Sequence, residues 1–242
     1  MTKNQLAAAR RATIIRSDAA KMAHMVRRIR GAFESCSVQD LADGVGWYDR
    51  AAAAAQDMAG ADMLRAAGVL AALSPRCAWK TNLSWARAVL VAVDTGAECP
   101  VVHTTTMRGQ AWRIAQGAPA LSVLNGPKVR SFFANISGDV DTVTVDVWAA
   151  RVAEGWTAPQ PHATSRVTQN RRKKGTGAIA LGGQYKTEPA PAGKRYVMIA
   201  SAYRTAAAKE NADRAKSGSP LGPISARDLQ AAVWTAIRGS AL

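Results

Sequence analysis

Apolar residues recur at helical spacing along most of the chain. In residues 4–30 the spacing is that of one face of a helix, and arginine or lysine fills many of the positions between. The apolar positions are Ile15, Met22, Met25, Val26 and Ile29. This pattern predicts a basic amphipathic helix that stops at Gly31, so that residues 1–31 form a first segment. Its basic face either is solvated or contacts a polyanion.

The next segment, residues 32–154, has the pattern of a helical core. Helices are predicted over 37–43, over 46–72 with a break near Gly60, and over 105–119. A short helix, a turn and a second helix are predicted over 121–138, and a short extended stretch leads into another helix that starts at Asp146.

One more helix is predicted in the middle of this core. Pro75 fits its first turn, and Ser74 fits its N-cap. Trp79, Asn82 and Ala86 then share one face, since they are three and four residues apart. Trp79 and Asn82 either line a binding pocket on this face or pack in the core.

The rest of the chain divides into an irregular segment and two closing helices. Residues 155–194 contain four prolines and six glycines, which exclude long regular elements. A basic run lies among them: Arg171, Arg172, Lys173 and Lys174. Residues 195–242 complete the core with helices predicted over 194–214 and 225–238. On these helices Tyr203, Trp234 and Arg238 are interpreted as packing and surface residues.

Composition and charge narrow the class of partner. The chain has 242 residues, is rich in alanine and carries a formal net charge of +15, so an all-α protein that attracts polyanions is expected. No apolar stretch reaches the roughly 20 residues that span a bilayer, and no secretion signal is recognised. Three separated cysteines fit a reducing compartment, and no metal-ligand spacing occurs. We therefore expect a cytoplasmic protein without metal or cofactor, and a monomer is favoured.

The chemistry-bearing residues cluster in the second half of the core. A glycine turn between two helices, at Asn125, Gly126 and Pro127, lets backbone N–H groups approach a phosphate closely. Lys128 follows the turn, and Asp146 begins the next predicted helix, so both would face a common cleft.

This stretch resembles the hairpin and catalytic loop of the helix-hairpin-helix DNA glycosylases. In an ungapped alignment from Asp146, Gly126 matches the second hairpin glycine of the family and Lys128 its lysine, 18 residues before the aspartate. The resemblance covers about residues 64–153. It implies a two-lobed helical fold, here with an irregular basic insertion, that binds double-stranded DNA.

Two departures leave alternatives open. Leu124 stands where the family has its first hairpin glycine, and a rival alignment moves Arg130 to the lysine position. Trp148 stands where the family has a histidine. The leading hypothesis is a DNA glycosylase that excises a modified or damaged base. The alternatives are a phage-type transferase that modifies a 5-hydroxymethyluracil-derived base with a small-molecule donor, and a non-catalytic helix-hairpin-helix DNA-binding protein.

The resemblance also implies roles for residues. Asp146 would stabilise the positively charged sugar or activate a nucleophile, and Lys128 would attack the sugar carbon. DNA contacts would come from the hairpin residues Asn125, Gly126, Pro127 and Arg130 and from the basic run 171–174. The extruded base would meet Trp79, Asn82 and Trp148. The location expected is the cytoplasm of a bacterial or phage-infected bacterial cell.

Overall fold

A computed structural model describes the backbone of residues 3–155 and 191–238, with side chains from residue 17 onward in the first range. Every regular element in these ranges is helical, which confirms the all-α prediction. The elements are α1 (Lys3–Glu34), α2 (Val38–Gly44), α3 (Trp47–Ala59), a 3-10 turn (Gly60–Asp62), α4 (Met63–Leu73), α5 (Trp79–Asp94), α6 (Thr105–Ala115), α7 (Ala120–Val123), α8 (Pro127–Ile136), α9 (Val147–Glu154), α10 (Gly193–Ser217) and α11 (Ala226–Arg238).

Several predicted helix boundaries are wrong: the stretch predicted over 105–119 ends as a helix at Ala115, and the helix predicted to end at 214 continues to Ser217. Helix α1 does not stop at Gly31 but continues to Glu34, because Phe33 is buried on the same face as Val26 and Ile29. That packing outweighs the helix penalty of one glycine, about 1 kcal/mol. The helix predicted from Pro75 begins later, at Trp79.

The late start of α5 has a local cause. Arg76 adopts a left-handed backbone conformation with φ 59°, which breaks any helix that begins at Pro75. Ala78, with extended backbone, is the residue that precedes the first helical turn. Trp79, Asn82 and Ala86 all lie on α5, as the spacing predicts.

The buried apolar residues of the described ranges form two clusters. The first surrounds α4, in which every residue from Ala66 to Leu73 is buried, and it draws on α3, α5, α6 and α8. A helix that is apolar on all sides has to be enclosed by its neighbours. The second cluster joins the C-terminal half of α1 to α9, α10 and α11. Helix α11 contributes Ala231 to the first cluster and Ala232 to the second, so it links the two.

A close crossing fixes the position of α11. A Cβ added to Gly44, at the end of α2, would lie 2.2 Å from Cα of Ala232. Only glycine allows two helix backbones to approach this closely. The same helix is held near its N-terminus by Arg227, which is 4% exposed. Arg227 Nη1 donates to the carbonyl oxygen of Asn135 at 2.9 Å, and Nη2 pairs with Asp49.

None of the described helices is both long and apolar enough to cross a membrane.

Candidate functional site

The turn between α7 and α8 is the feature that the sequence singles out, and the structure confirms the short helix, turn and helix. Gly126 precedes α8 with φ 86° and ψ 148°, a conformation that side chains with a Cβ rarely adopt. Pro127 occupies the first helical position, where a backbone N–H would have no acceptor within the helix, so the N–H that proline lacks is not needed. Asn125, Gly126 and Pro127 are all exposed, whereas Leu124 is buried. The tip of the turn is therefore open to a partner.

Asn135 shapes the loop that leads from α8 to α9. Its buried side-chain amide donates to the carbonyl oxygens of Asp139 at 2.9 Å and Thr142 at 2.7 Å. Its Oδ1 accepts from the hydroxyl of Thr144 at 2.7 Å. These three bonds replace the regular backbone pairing that an irregular segment lacks. These bonds fix the conformation of the loop and therefore the position of Asp146 relative to α8.

Tyr196, on α10, holds the same loop from the opposite side. Its hydroxyl accepts from the N–H of Val145 at 3.1 Å and lies 3.0 Å from the carbonyl oxygen of Val143. The Oγ of Ser131, on α8, is 2.8 Å away. One buried hydroxyl thus connects the hairpin helix, the loop and α10.

Asp146 is the N-cap of α9, and both of its carboxylate oxygens accept hydrogen bonds. Oδ1 accepts from the backbone N–H of Ala149 at 2.8 Å, which is the usual N-cap bond. Oδ2 accepts from Nε1 of Trp234 at 3.1 Å. The predicted helix start at Asp146 is confirmed, and the carboxylate is held in one orientation by two elements.

Lys128 lies in the first turn of α8 and is partly buried. Burial lowers the pKa of its ammonium group; the carboxylate of Asp146 opposes this shift, and the guanidinium of Arg238 adds to it. Among the described residues no carboxylate oxygen comes within 4.0 Å of the Lys128 amine. The amine is therefore close enough to Asp146 to be influenced by its charge without a direct ion pair.

The two alignments of the hairpin place different residues at the family's lysine position. Arg130 is exposed, and its Nη1 donates to the carbonyl oxygen of Leu124 at 3.4 Å. Lys128 is partly buried, and the charge of Asp146 acts on its pKa.

A cluster of tryptophan and arginine side chains lies beside Asp146. The guanidinium carbon of Arg238 is 5.6 Å from the ring centroid of Trp148 and 5.3 Å from that of Trp234. Arg151 lies over the Trp148 ring at 4.8 Å. Both tryptophans are partly exposed and Arg238 is exposed. We call Trp148, Trp234 and Arg238 the Trp–Arg cluster.

Two members of this cluster were not among the predicted site residues. Trp234 and Arg238 are interpreted from the sequence as packing and surface residues, but α11 brings both to Asp146 and Trp148. The available signal was an aromatic and a basic residue four positions apart on one amphipathic helix, which places them on the same face. Tyr203, interpreted in the same way, is buried, and its hydroxyl donates to the carbonyl oxygen of Ala149 at 3.2 Å.

The other two predicted pocket residues lie elsewhere. Asn82 is 2% exposed, and its amide nitrogen donates to the carbonyl oxygen of Leu70 at 3.1 Å, so it is a core residue. Trp79 is partly buried with its ring centroid 5.0 Å from that of Trp47. Trp47 in turn lies 6.4 Å from Trp234. Trp79 is thus separated from the Trp–Arg cluster by one intervening ring.

Some candidates fall outside this site. Arg171, Arg172, Lys173 and Lys174 lie outside the described residues. Within the described residues, no group of histidine, cysteine and carboxylate side chains is arranged to hold a metal ion. Cys36 is partly buried, and burial raises the pKa of its thiol to about 11, so the thiolate nucleophile hardly forms at neutral pH.

The described residues define an all-helical protein with a partly buried lysine, a doubly hydrogen-bonded aspartate and a Trp–Arg cluster on one face. The chain belongs to a family of unknown function, DUF7178, whose profile matches residues 11–172, about two thirds of the chain. The matched segment includes Lys128, Asp146 and Trp148. No curated protein and no solved structure matches the chain.

Proposed function

We propose that this protein is a DNA-binding enzyme that acts on an extruded base in duplex DNA, specifically a DNA glycosylase that excises a modified or damaged base. The observation that carries the proposal is the partly buried Lys128 within the electrostatic range of Asp146, immediately after an exposed glycine turn. The two buried clusters joined by α11 fit a two-lobed, helix-hairpin-helix glycosylase-like fold.

Binding to DNA rests on charge and on the hairpin. A net charge of +15 attracts a polyanion, and the exposed turn at Asn125, Gly126 and Pro127 allows a phosphate to approach the first N–H groups of α8. The exposed Arg130 adds a positive charge next to that turn. Such contacts position a duplex without selecting its sequence. Affinity should accordingly fall steeply as the salt concentration rises.

The proposed reaction breaks the bond between a base and C1′ of its sugar. The neutral amine of Lys128 attacks C1′ and forms a C–N bond, while the base leaves with the electron pair of the broken bond and takes up the proton that the amine loses. Water then hydrolyses the C–N bond and frees Lys128. Because burial lowers the pKa of Lys128, more of the amine is neutral at a given pH. The negative charge of Asp146 stabilises the positive charge that develops on the sugar.

A second candidate function is favoured by one observation. Both oxygens of Asp146 already accept hydrogen bonds within the protein, and such a residue fulfils a structural role as a cap. A non-catalytic helix-hairpin-helix DNA-binding protein would need nothing more from it. A third candidate, the base-modifying transferase, uses the same site with an added small-molecule donor.

Mass spectrometry of the free bases and nucleosides tests these functions. The protein and its Asp146→Asn variant are incubated with duplexes that carry thymine, uracil, 5-hydroxymethyluracil or an oxidised purine. Free base released by the native protein alone supports the glycosylase. Nucleosides of increased mass, formed only with a donor, support the transferase. Unchanged nucleosides, together with DNA binding that weakens as the salt concentration rises, support the non-catalytic DNA-binding protein. DNA binding that does not depend on salt contradicts all three functions.

A further inference from the structure

The Trp–Arg cluster has the composition of a stacking site. Trp148 comes from α9, whereas Trp234 and Arg238 come from successive turns of α11. Trp148 and Trp234 are partly exposed residues and Arg238 is an exposed one, and its guanidinium carbon lies within 5.6 Å of both ring centroids. Aromatic faces next to basic side chains are the combination with which proteins hold unpaired nucleotides.

The rings are held in place before any ligand arrives. Nε1 of Trp234 donates to Asp146 Oδ2 at 3.1 Å, which fixes the ring plane relative to α9. The Trp234 ring also lies 6.4 Å from Trp47, a buried ring of the first cluster. Trp148 is contacted by Arg151 at 4.8 Å. A ligand that stacks here therefore orders few side chains on binding, which favours affinity.

We propose that the Trp–Arg cluster binds an unpaired nucleobase, and that Arg238 covers the indole rings until the base enters and then moves to its phosphate. The proposal rests on the proposed function, since the base would be the one that Lys128 and Asp146 act on. It further specifies the substrate, because the protein should bind DNA that already contains an unpaired base more tightly than fully paired DNA. It also assigns roles to Trp234 and Arg238, which the resemblance to glycosylases leaves unassigned.

The exchange is favourable on general grounds. An exposed cation–π contact is weaker than the stacking of a base on an aromatic side chain. The guanidinium that leaves the rings gains a charged hydrogen bond when it reaches a phosphate. Arg130 places another positive charge on helix α8, so a phosphate attached to the base meets a positive surface.

Fluorescence anisotropy with labelled oligonucleotides tests the proposal on the full chain. The probes are a perfectly paired duplex, the same duplex with one bulged thymine, and the single strand. We expect the native protein to bind the bulged duplex about 10-fold more tightly than the paired one. Trp148→Ala should abolish this preference, whereas Trp148→Phe, which keeps an aromatic ring, should retain most of it.

Arg238→Ala separates the two roles of the cluster. Removal of the guanidinium should weaken binding to the bulged duplex and to the single strand, and for these probes it should reduce the slope of log affinity against log salt by about 1, because one phosphate contact is lost. Affinity for the paired duplex should change little, since Arg238 stays on the rings when no base enters. Part of the preference for the bulged duplex should remain, since Trp148 and Trp234 can still stack on the base. Lys209→Ala removes one charge from an exposed position of α10, thirteen residues beyond Tyr196. It should leave the preference unchanged and is the matched control.

The outcomes distinguish this inference from the proposed function. Equal, salt-dependent affinity for paired and bulged duplexes overturns the stacking site but leaves a DNA-binding protein. A preference that survives Trp148→Ala, in a variant with native circular dichroism, also overturns it. Absence of binding to any probe contradicts both the inference and the proposed function.

Discussion

Replacement of Asn135 by alanine should destabilise the protein more than any other change to the loop before Asp146. The side chain is fully buried. It donates to the carbonyl oxygens of Asp139 and Thr142 and accepts from the hydroxyl of Thr144. Alanine removes all three bonds and leaves two carbonyl groups and one hydroxyl without their partner.

The magnitude follows from the number of bonds. A hydrogen bond in a folded protein contributes about 1 kcal/mol net, and more when the partner left behind is buried. Three lost bonds give a decrease of about 3 kcal/mol in the free energy of unfolding. For a domain of this size a decrease of 1 kcal/mol lowers the melting temperature by about 2–4 °C, so Asn135→Ala should lower it by about 6–12 °C.

Urea denaturation followed by circular dichroism and tryptophan fluorescence measures this change. The matched control is Ser137→Ala, because the buried hydroxyl of Ser137 has no hydrogen-bond partner among the described residues. Its removal should change the stability by less than about 0.5 kcal/mol. Asn135→Asp supplies a second comparison, since a carboxylate would face the two carbonyl oxygens. Its destabilisation should increase as the pH rises above about 4, where the carboxyl group ionises.

Two results would refute this account of the loop. One is a loss below about 1 kcal/mol for Asn135→Ala, with Ser137→Ala giving the same value. The other is an Asn135→Asp variant whose stability does not depend on pH between 3 and 6, roughly the range in which an aspartate titrates. Either result would mean that packing, and not the side-chain amide, determines the conformation before Asp146.

Three further changes have defined outcomes. Gly44→Ala forces α2 and α11 apart, because the new Cβ would lie 2.2 Å from a backbone atom of α11; thermal denaturation should show a loss of about 1–3 kcal/mol. Gly31→Ala is its control, since its Cβ meets nothing within 4 Å, and should gain up to about 1 kcal/mol. Lys128→Met should raise the stability at neutral pH, because burial lowers the pKa of the lysine and a charged amine is disfavoured there. In the native protein that penalty disappears as the pH rises through the folded pKa of Lys128 towards about 10.4, so its free energy of unfolding should increase over this range. Urea denaturation of the variant at pH 7–10 should show no such increase. The hydroxyl of Thr142 lowers the pKa of Asp139, so this carboxylate stabilises the fold above about pH 4 and the effect is lost as the pH falls through the folded pKa; Asp139→Asn should flatten that acid dependence.

Each of these three predictions can be contradicted by one result. A Gly44→Ala variant as stable as Gly31→Ala would show that the crossing of α2 and α11 is looser than described. A Lys128→Met variant that is less stable than the native protein at pH 7 would show that the ammonium group is stabilised in place. An acid dependence unchanged by Asp139→Asn would show that the loop bonds do not favour the ionised carboxylate.

Local chemistry allowed most helices to be predicted from the sequence. The break near Gly60 and the start of α9 follow from residues whose conformational preferences act over a few positions. The turn at Gly126 was found for the same reason, since only glycine readily adopts its positive φ. The segment from Lys128 to Asp146 could be chosen as the candidate site because its spacing resembles a known family.

What could not be predicted depends on tertiary packing. Whether α1 passes Gly31 is decided by burial of Phe33 against distant helices. The place of Asn82 depends on the carbonyl group of Leu70, twelve residues away. Trp234 and Arg238 are brought to the site by the packing of α11 against other helices, including its close crossing with α2 at Gly44. These contacts join residues far apart in the sequence, and no local pattern reveals them.

Asp146 is the residue on which the proposed activity depends, and its two roles can be separated in one measurement. Asn and Ser can both accept the capping bond from the N–H of Ala149, so Asp146→Asn and Asp146→Ser should keep the fold. The rate of free-base release from duplexes with uracil, 5-hydroxymethyluracil or an oxidised purine is measured beside the melting temperature. We predict melting temperatures within a few degrees of the native protein and a rate at least about 100-fold lower in both variants. Base release at the native rate in either variant would contradict the account, because Asp146 would then be only a cap.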